Sequence, residues 1–314
     1  MFSDLPIARY RFTAIAQQTL RMPDFAGSLL RGQFGAALRS IACMTRQPTC
    51  KDCPLQTTCP YTRIFEAVPP TEHAIQKFSA IPNSYVIEPP PIGSRAIDAG
   101  ESLTFCMVLV GESMSHLALI IFAWQKALRQ GLTKQRVPLE LSTVEWVDEQ
   151  GMGHTIWTSE STAIKDHPQT LELPAPNHRA DHMIVRIQTP LRLQQQGRPL
   201  APHQLTPRTL IAAVTRRAAL MLEFHAHKED LGAYVPEVIQ QSDQLRQEIS
   251  LRWYDWVRYS SRQQQEMTLG GVIGDWRILG PAEVLANIQP WLALGQWLHV
   301  GKNATMGMGS YTLH

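Results

Sequence analysis

The sequence predicts an α+β protein built from two tandem domains. Three observations carry this expectation. The chain has 314 residues, and at roughly 100–200 residues per domain it has room for two. Segments with two-residue apolar alternation and segments with helical apolar spacing follow one another in an order close to β-α-β-β-α-β, and that order occurs in both halves. Between the halves, residues 159–181 are polar and carry Pro168, Pro174 and Pro176. This order of elements is the ferredoxin-like arrangement. The expected division is a ferredoxin-like domain over 1–165, a linker over 166–181 and a second ferredoxin-like domain over 182–314. Such a fold serves many functions, so function has to be argued from sites.

The elements follow in order. Residues 7–20 alternate, with Tyr10, Phe12 and Ala14 on one face and Arg9, Arg11 and Thr13 on the other, which predicts a strand. Asp24 is the expected cap of a helix reaching Ala42, because Phe25, Leu29, Phe34, Leu38 and Ile41 recur at helical spacing. A second stripe of that helix is Ser28, Arg31, Gly35 and Arg39. A cysteine-rich loop follows, inserted in the first domain. Residues 66–100 read as irregular around the proline run at 89–91. A strand at 102–110, a helix at 114–131 and strands at 137–148 and 153–158 complete the first half. The second half offers a strand at 182–193, a helix at 206–225 opened by Thr206-Pro207, and strands at 249–259 and 266–278. A helix from Pro281 to about Gly295 and a glycine-rich, strand-like end close the chain. On the strand at 249–259, Arg252, Tyr254, Trp256 and Arg258 share one face and Trp253 and Tyr259 the other. Trp253, Trp256, Trp276, Trp291 and Trp297 together read as core.

Composition excludes several classes. Hydrophobic residues make up 44% and charged residues 18%, which is incompatible with wholesale disorder. The longest apolar run, 117–123, is far short of the ~20 residues a membrane helix needs. Residues 1–24 contain no basic-then-apolar signal pattern, so the expected location is the cytoplasm, away from any membrane. The net charge of +2 implies no polyanion partner by itself. Its distribution is more informative. Residues 1–63 hold eight cations against three carboxylates, and 22 of the 29 cations in the chain are Arg, whose planar fork suits phosphate.

Four of the five cysteines fall close together, as Cys43, Cys50, Cys53 and Cys59, spaced C-x6-C-x2-C-x5-C. In a cytosolic protein such thiols do not form structural disulfides, so a four-thiolate site for a 4Fe-4S cluster, or alternatively Zn2+, is expected. The site would be structural, stapling the end of the first helix to the next segment. Residues 43–61, with Cys53-Pro54-Leu55-Gln56, resemble the iron–sulfur loop of helix-hairpin-helix DNA glycosylases. The helix-hairpin-helix itself has no counterpart here, so the resemblance implies the loop and not the repair activity. Cys106 sits alone in an apolar run and reads as a small core residue.

The last residues contain His299-Val300-Gly301-Lys302, then Gly307-Met308-Gly309. Glycines let backbone amides approach a phosphate, and Lys302 supplies charge at the same place. His225 and His227 end a helix and read as partners of its C-terminal dipole.

A helix, this glycine loop and a closing strand resemble the CRISPR precursor-RNA-processing endoribonucleases of the repeat-associated superfamily. Leu30-Arg31-Gly32, Phe34-Gly35, Leu38-Arg39, Cys59-Pro60-Tyr61 and Ile64-Phe65-Glu66 add to the likeness. The resemblance implies metal-independent cutting of repeat RNA into guide RNAs. The 2′-hydroxyl attacks the adjacent phosphate, leaving 2′,3′-cyclic phosphate and 5′-hydroxyl ends. The implied partners are CRISPR repeat RNA and guide RNA, together with other effector subunits. A non-catalytic guide-RNA-holding subunit is the alternative. His299 beside Lys302, with Arg31, are the candidate catalytic groups. Arg31, Arg39, Gly301, Lys302, Gly307 and Gly309 are the candidate RNA contacts. The sequence departs from the family pattern in two places: His299 stands where the glycine motif opens, and residues 1–72 contain no His.

Overall fold

The computed structural model describes residues 2–69, 81–227, 231–260 and 265–314. The chain divides into two compact units. One comprises 4–171 and 220–227, and the other comprises 1–3, 172–219 and 228–314. The first unit runs past the expected limit at 165 because Leu171 is tied back to Leu5, donating its amide to the Leu5 carbonyl at 2.7 Å. Residues 220–227, expected in the second domain, group with the first.

The first unit contains β1 (Ile7–Ala16), β2 (Leu20–Met22), α1 (Gly27–Ala42), α2 (Pro60–Ile64), β3 (Tyr85–Glu88), β4 (Arg95–Ile97), β5 (Ser102–Val110), α3 (Leu117–Gln130), β6 (Leu139–Val147) and β7 (Gly153–Thr158). Its sheet runs β3-β5-β1-β6-β7, with antiparallel neighbours. The path β1-α1-β3-β5-α3-β6 is therefore ferredoxin-like, and β7 is an added edge. β3 and β4 lie within the stretch expected to be irregular. Asp24 does not cap α1: the helix starts at Gly27 after Ala26 and has no side-chain cap. Phe25 and Ala26 are instead buried. The alternation of β1 holds. Tyr10, Phe12 and Ala14 are buried, while Arg9 pairs with Glu88 at 3.0 Å and Arg11 with Glu145 at 3.2 Å. The core is aromatic: Phe12 stacks on Phe105, and Phe34 stacks on Trp124.

The second unit contains β8 (His182–Leu191), β9 (Gln194–Gln195), β10 (Arg198–Pro199), most of α4 (Pro207–Ala226), α5 (Leu231–Gln241), β11 (Arg246–Ser260), β12 (Gln265–Leu279), α6 (Ala282–Leu298) and β13 (Tyr311–Leu313). Its main sheet runs β11-β12-β8-β13, again antiparallel. The path β8-α4-β11-β12-α6-β13 repeats the ferredoxin-like order. α5 is an addition that the apolar spacing does not predict. Trp256, Trp276, Trp291 and Trp297 are core residues. Trp253 is half-exposed, and its indole donates to Asp255 Oδ1 at 2.8 Å. The side chains of Arg258 and Tyr259 lie outside the described residues.

Candidate functional site

The glycine loop connects α6 to β13 and folds against the end of β8. The Lys302 amide donates to the Arg192 carbonyl at 2.9 Å, and the Gly309 amide to the Pro190 carbonyl at 3.1 Å. The Gly307 amide donates to the Ala304 carbonyl at 2.9 Å, and the Gly307 carbonyl accepts the Thr189 hydroxyl at 2.6 Å. Gly309 has φ +70° and lies so close to the Val300 carbonyl that a Cβ there would overlap it. Both glycines are buried, with the Gly307 amide bonded within the loop and the Gly309 amide bonded to β8.

His299, expected at the loop mouth, has φ 54° at the end of α6 and is only 1% exposed. Lys302 lies outside, exposed. With Gly301 it lines an open cleft of about 410 Å³, joined by Arg192, Arg216, Gln194 and Thr209. The residues lining this cleft include three cations and neither Asp nor Glu, which is the electrostatics of an anion site. Arg192 is aimed by its own hydrogen bond to the Gly270 carbonyl at 2.9 Å. Sequence reasoning missed Arg192 and Arg216, since they come from the end of β8 and the middle of α4, far from the loop in sequence.

At the other candidate region, α1 meets the cysteine loop. The Arg31 guanidinium lies 4.4 Å from the centroid of the Phe65 ring. Arg39 lies over Tyr61 and donates to the carbonyls of Gln47 and Pro48 at 2.5 and 2.8 Å. Gly35, between them, is covered by the Phe65 ring. The Gly35 position of the stripe is thus covered by the protein's own Phe65, while Arg31 and Arg39 stay part-exposed and keep these internal contacts. Much of the N-terminal positive charge is also engaged internally, in the pairs of Arg9 and Arg11 and in the backbone bonds of Arg39.

Cys43, Cys50, Cys53 and Cys59 line one small cavity together with Arg39, Thr45 and Tyr61. Thr45 Oγ1 lies 3.5 Å from Cys53 Sγ and 4.0 Å from Cys43 Sγ. Burial is the largest single influence on the Cys43 thiol and raises it, but hydrogen bonds from the Arg46 backbone, Thr45 and Arg39, with the Arg39 charge, together outweigh it and hold the thiol below the usual range. Among the described residues, no three His, Cys, Asp or Glu side chains converge on one point as a single metal ion requires. The donor set suits a four-thiolate group, with the sulfurs spread around a cavity. Cys106, on β5, is part-buried beside Arg11 and Glu88 and not in the core as expected; burial pushes its thiol up to about 12.

Two ferredoxin-like units and a cationic cleft beside a glycine loop give the chain the electrostatics of an anion-binding protein. Residues 5–169 match the family model AF_1859_N, described as an N-terminal domain, and residues 185–311 match the model described as CRISPR-associated endoribonuclease Cas6. The first match covers more than half of the chain, so the chain belongs to that family, and its second half is a Cas6 endoribonuclease domain. The second match makes it an endoribonuclease of CRISPR RNA processing. No curated protein sequence matches the chain. Among solved structures, a Cas6 product complex from Thermus thermophilus has a TM-score of 0.59 at 14% identity, over 99% of this chain and 100% of that one. A second Cas6 product complex has a TM-score of 0.52 at 16% identity, over 98% and 99%. A partial Cas6-RT-Cas1–Cas2 complex has a TM-score of 0.58 at 14% identity, over 99% of this chain but 46% of that longer one. At these identities the likenesses show the fold. No helix among the described residues is long and apolar enough to cross a membrane.

Proposed function

We propose that the protein cuts CRISPR repeat RNA into guide RNAs without a metal ion, by attack of a 2′-hydroxyl on the adjacent phosphate. The products are a 2′,3′-cyclic phosphate and a 5′-hydroxyl. The observation that carries this reading is the cleft formed by Lys302, Gly301, Arg192 and Arg216 inside the Cas6 domain. Its cations hold the RNA backbone, and its shape comes from the glycine loop. The test is to incubate purified protein with labelled repeat RNA in EDTA. One cut with a cyclic-phosphate end, abolished by a 2′-deoxy sugar at the scissile position, supports the reading. Cutting that requires added Mg2+, or that survives the 2′-deoxy substitution, sinks it.

The four cysteines are proposed to hold a structural 4Fe-4S cluster. Zn2+ held by the same four thiolates is the alternative. The protein is also proposed to work beside other CRISPR proteins, as the Cas6 segment of the Cas6-RT-Cas1–Cas2 complex does.

A further inference from the structure

A second cavity, of about 510 Å³, opens in the first unit. Its lining includes Thr62, Arg63, Glu112, Ser113, His116 and His225. The cationic cleft at the glycine loop does not include any of these residues. His116 ends the 3-10 turn Gly111–His116 that leads into α3. The turn is held from three sides. The Ser113 hydroxyl bonds to the carbonyls of Ser84 and Val110 at 3.1 and 2.9 Å, and the Gly111 amide donates to the Pro6 carbonyl at 2.7 Å. Gly111 has φ +60° and lies directly against the His225 carbonyl, where a Cβ would overlap it.

Charges meet here. Glu112 lies 3.9 Å from Arg63 and 3.3 Å from His227 Nε2. The Arg63 side chain is about half exposed, at 48%, so its long pair with Glu112 is weak and a phosphate can compete for it. His225 is engaged with the backbone, its Nε2 at 2.6 Å from the Pro82 carbonyl. Burial and the Arg63 charge, partly offset by Glu112, hold His116 below the usual histidine range, so it is neutral at neutral pH and keeps a ring nitrogen free to accept a proton.

We infer that this cavity is the cutting site: His116 exchanges the proton of the reaction, and Arg63 holds the scissile phosphate. The inference rests on the repeat-cutting function proposed above. His116 takes the proton from the 2′-hydroxyl as its oxygen bonds to phosphorus. The bond from phosphorus to the 5′-oxygen breaks, its electron pair leaves with that oxygen, and the proton carried by His116 is passed to it through water. One proton moves from the 2′- to the 5′-oxygen, and nothing is oxidised or reduced. Arg63 bears the negative charge that grows on the phosphate. Among the described residues, Arg63 and Glu112 are the charges that act on His116, His225 lines the same cavity, and His227 pairs with Glu112. The absence of His from residues 1–72 is then no obstacle, because the base is supplied from the turn before α3.

The experiment compares wild type with His116→Ala, Arg63→Met and Glu112→Gln on repeat RNA. His116→Ala is expected to lower single-turnover cutting by about 10²–10⁴-fold, with RNA binding and thermal stability kept. The acid limb of the pH–rate profile should move up in Arg63→Met, which loses a cation near His116. It should move down in Glu112→Gln, which loses an anion. Cutting by His116→Ala at the wild-type rate overturns the inference and leaves the proposed function standing. Should that variant unfold, opposite limb shifts in the other two variants carry the inference, and an unmoved limb overturns it. Wild-type protein that binds repeat RNA without cutting defeats both.

Discussion

The tip of the Phe65 ring points at the backbone of Gly35, occupying the space where a Cβ would project. Phe65 also stacks on Tyr61 and Tyr85, and Arg31 covers it from α1. A residue just past the cysteine loop is thus locked onto the middle of α1. Alanine at 35 would gain about 1 kcal/mol of helix propensity but lose about 1–3 kcal/mol to overpacking. Because the overlap is direct, destabilisation wins. Gly35→Ala is expected to lower the melting temperature, and Phe65→Leu should recover part of the loss in the double variant. A Gly35→Ala protein as stable as wild type would show that the ring moves freely.

The same packing shows what is legible in the sequence. The Arg31, Gly35, Arg39 stripe is visible there, but its occupant is not, because Phe65 returns to it after a loop whose path no periodicity encodes. β1, α1, β5 and α4 are readable from alternation or helical spacing. β3 is four residues, Tyr85–Glu88, ahead of a proline run, too short for a period to register. Pro236 interrupts the pattern of α5. Lys302 is legible because glycines frame it. Arg192, Arg216 and His116 are not, because each reaches its site through the fold alone.

The cationic cleft predicts a division of labour between neighbours in the chain. Lys302→Ala and Arg216→Ala should each weaken RNA binding and make it less sensitive to salt, with the log–log slope falling by about 0.7 for each single-strand phosphate released. His299→Ala should leave that slope unchanged and lower the melting temperature instead, since His299 is packed in the interior. Binding titrations across a salt series, with thermal denaturation, check both. A shallower salt slope in His299→Ala would return that residue to the RNA surface.

Alkaline pH should unfold the protein through its buried tyrosines. Burial raises Tyr85 to about 12, with Arg31 beside it opposing, and burial raises Tyr10, Tyr61 and Tyr311 further still. A folded-state value above the unfolded one means that the stabilisation is complete below about pH 10 and is lost as pH rises through the folded value. Buried Arg217, which donates to the Leu298 carbonyl at 2.8 Å, is lowered to about 10 by burial and works in the opposite direction. Four tyrosines against one arginine give a net loss of stability above pH 10. Tyr85→Phe should flatten the loss between about pH 10 and 12. Denaturation followed with tyrosinate absorbance measures it, and stability that rises over that interval would contradict the assignment.

The cysteine loop is held by its own turns, in which the amides of Cys53, Gln56 and Cys59 donate to the carbonyls of Cys50, Cys53 and Leu55, by the packing of Cys50 and Cys59 on the core, and by Arg39 on Gln47 and Pro48, Thr62 on Gln56 and Cys59, and Arg63 on Thr57. The four thiols are left to hold its corners together. Protein purified without oxygen is therefore expected to contain about four iron and four sulfide per chain and to show a broad thiolate-to-iron absorption. Cys50→Ser or Cys59→Ser should lose the iron. Removing the iron should expose the segment between α1 and α2 to protease, because the group that joins its four corners is gone. Arg39→Ala should loosen the same segment while the iron is retained, since Arg39 holds the backbone and not the cluster. Zinc in place of iron in anaerobically purified protein would replace the cluster with a single ion, and protein with neither metal but an intact, protease-resistant loop would show that these hydrogen bonds and packing suffice.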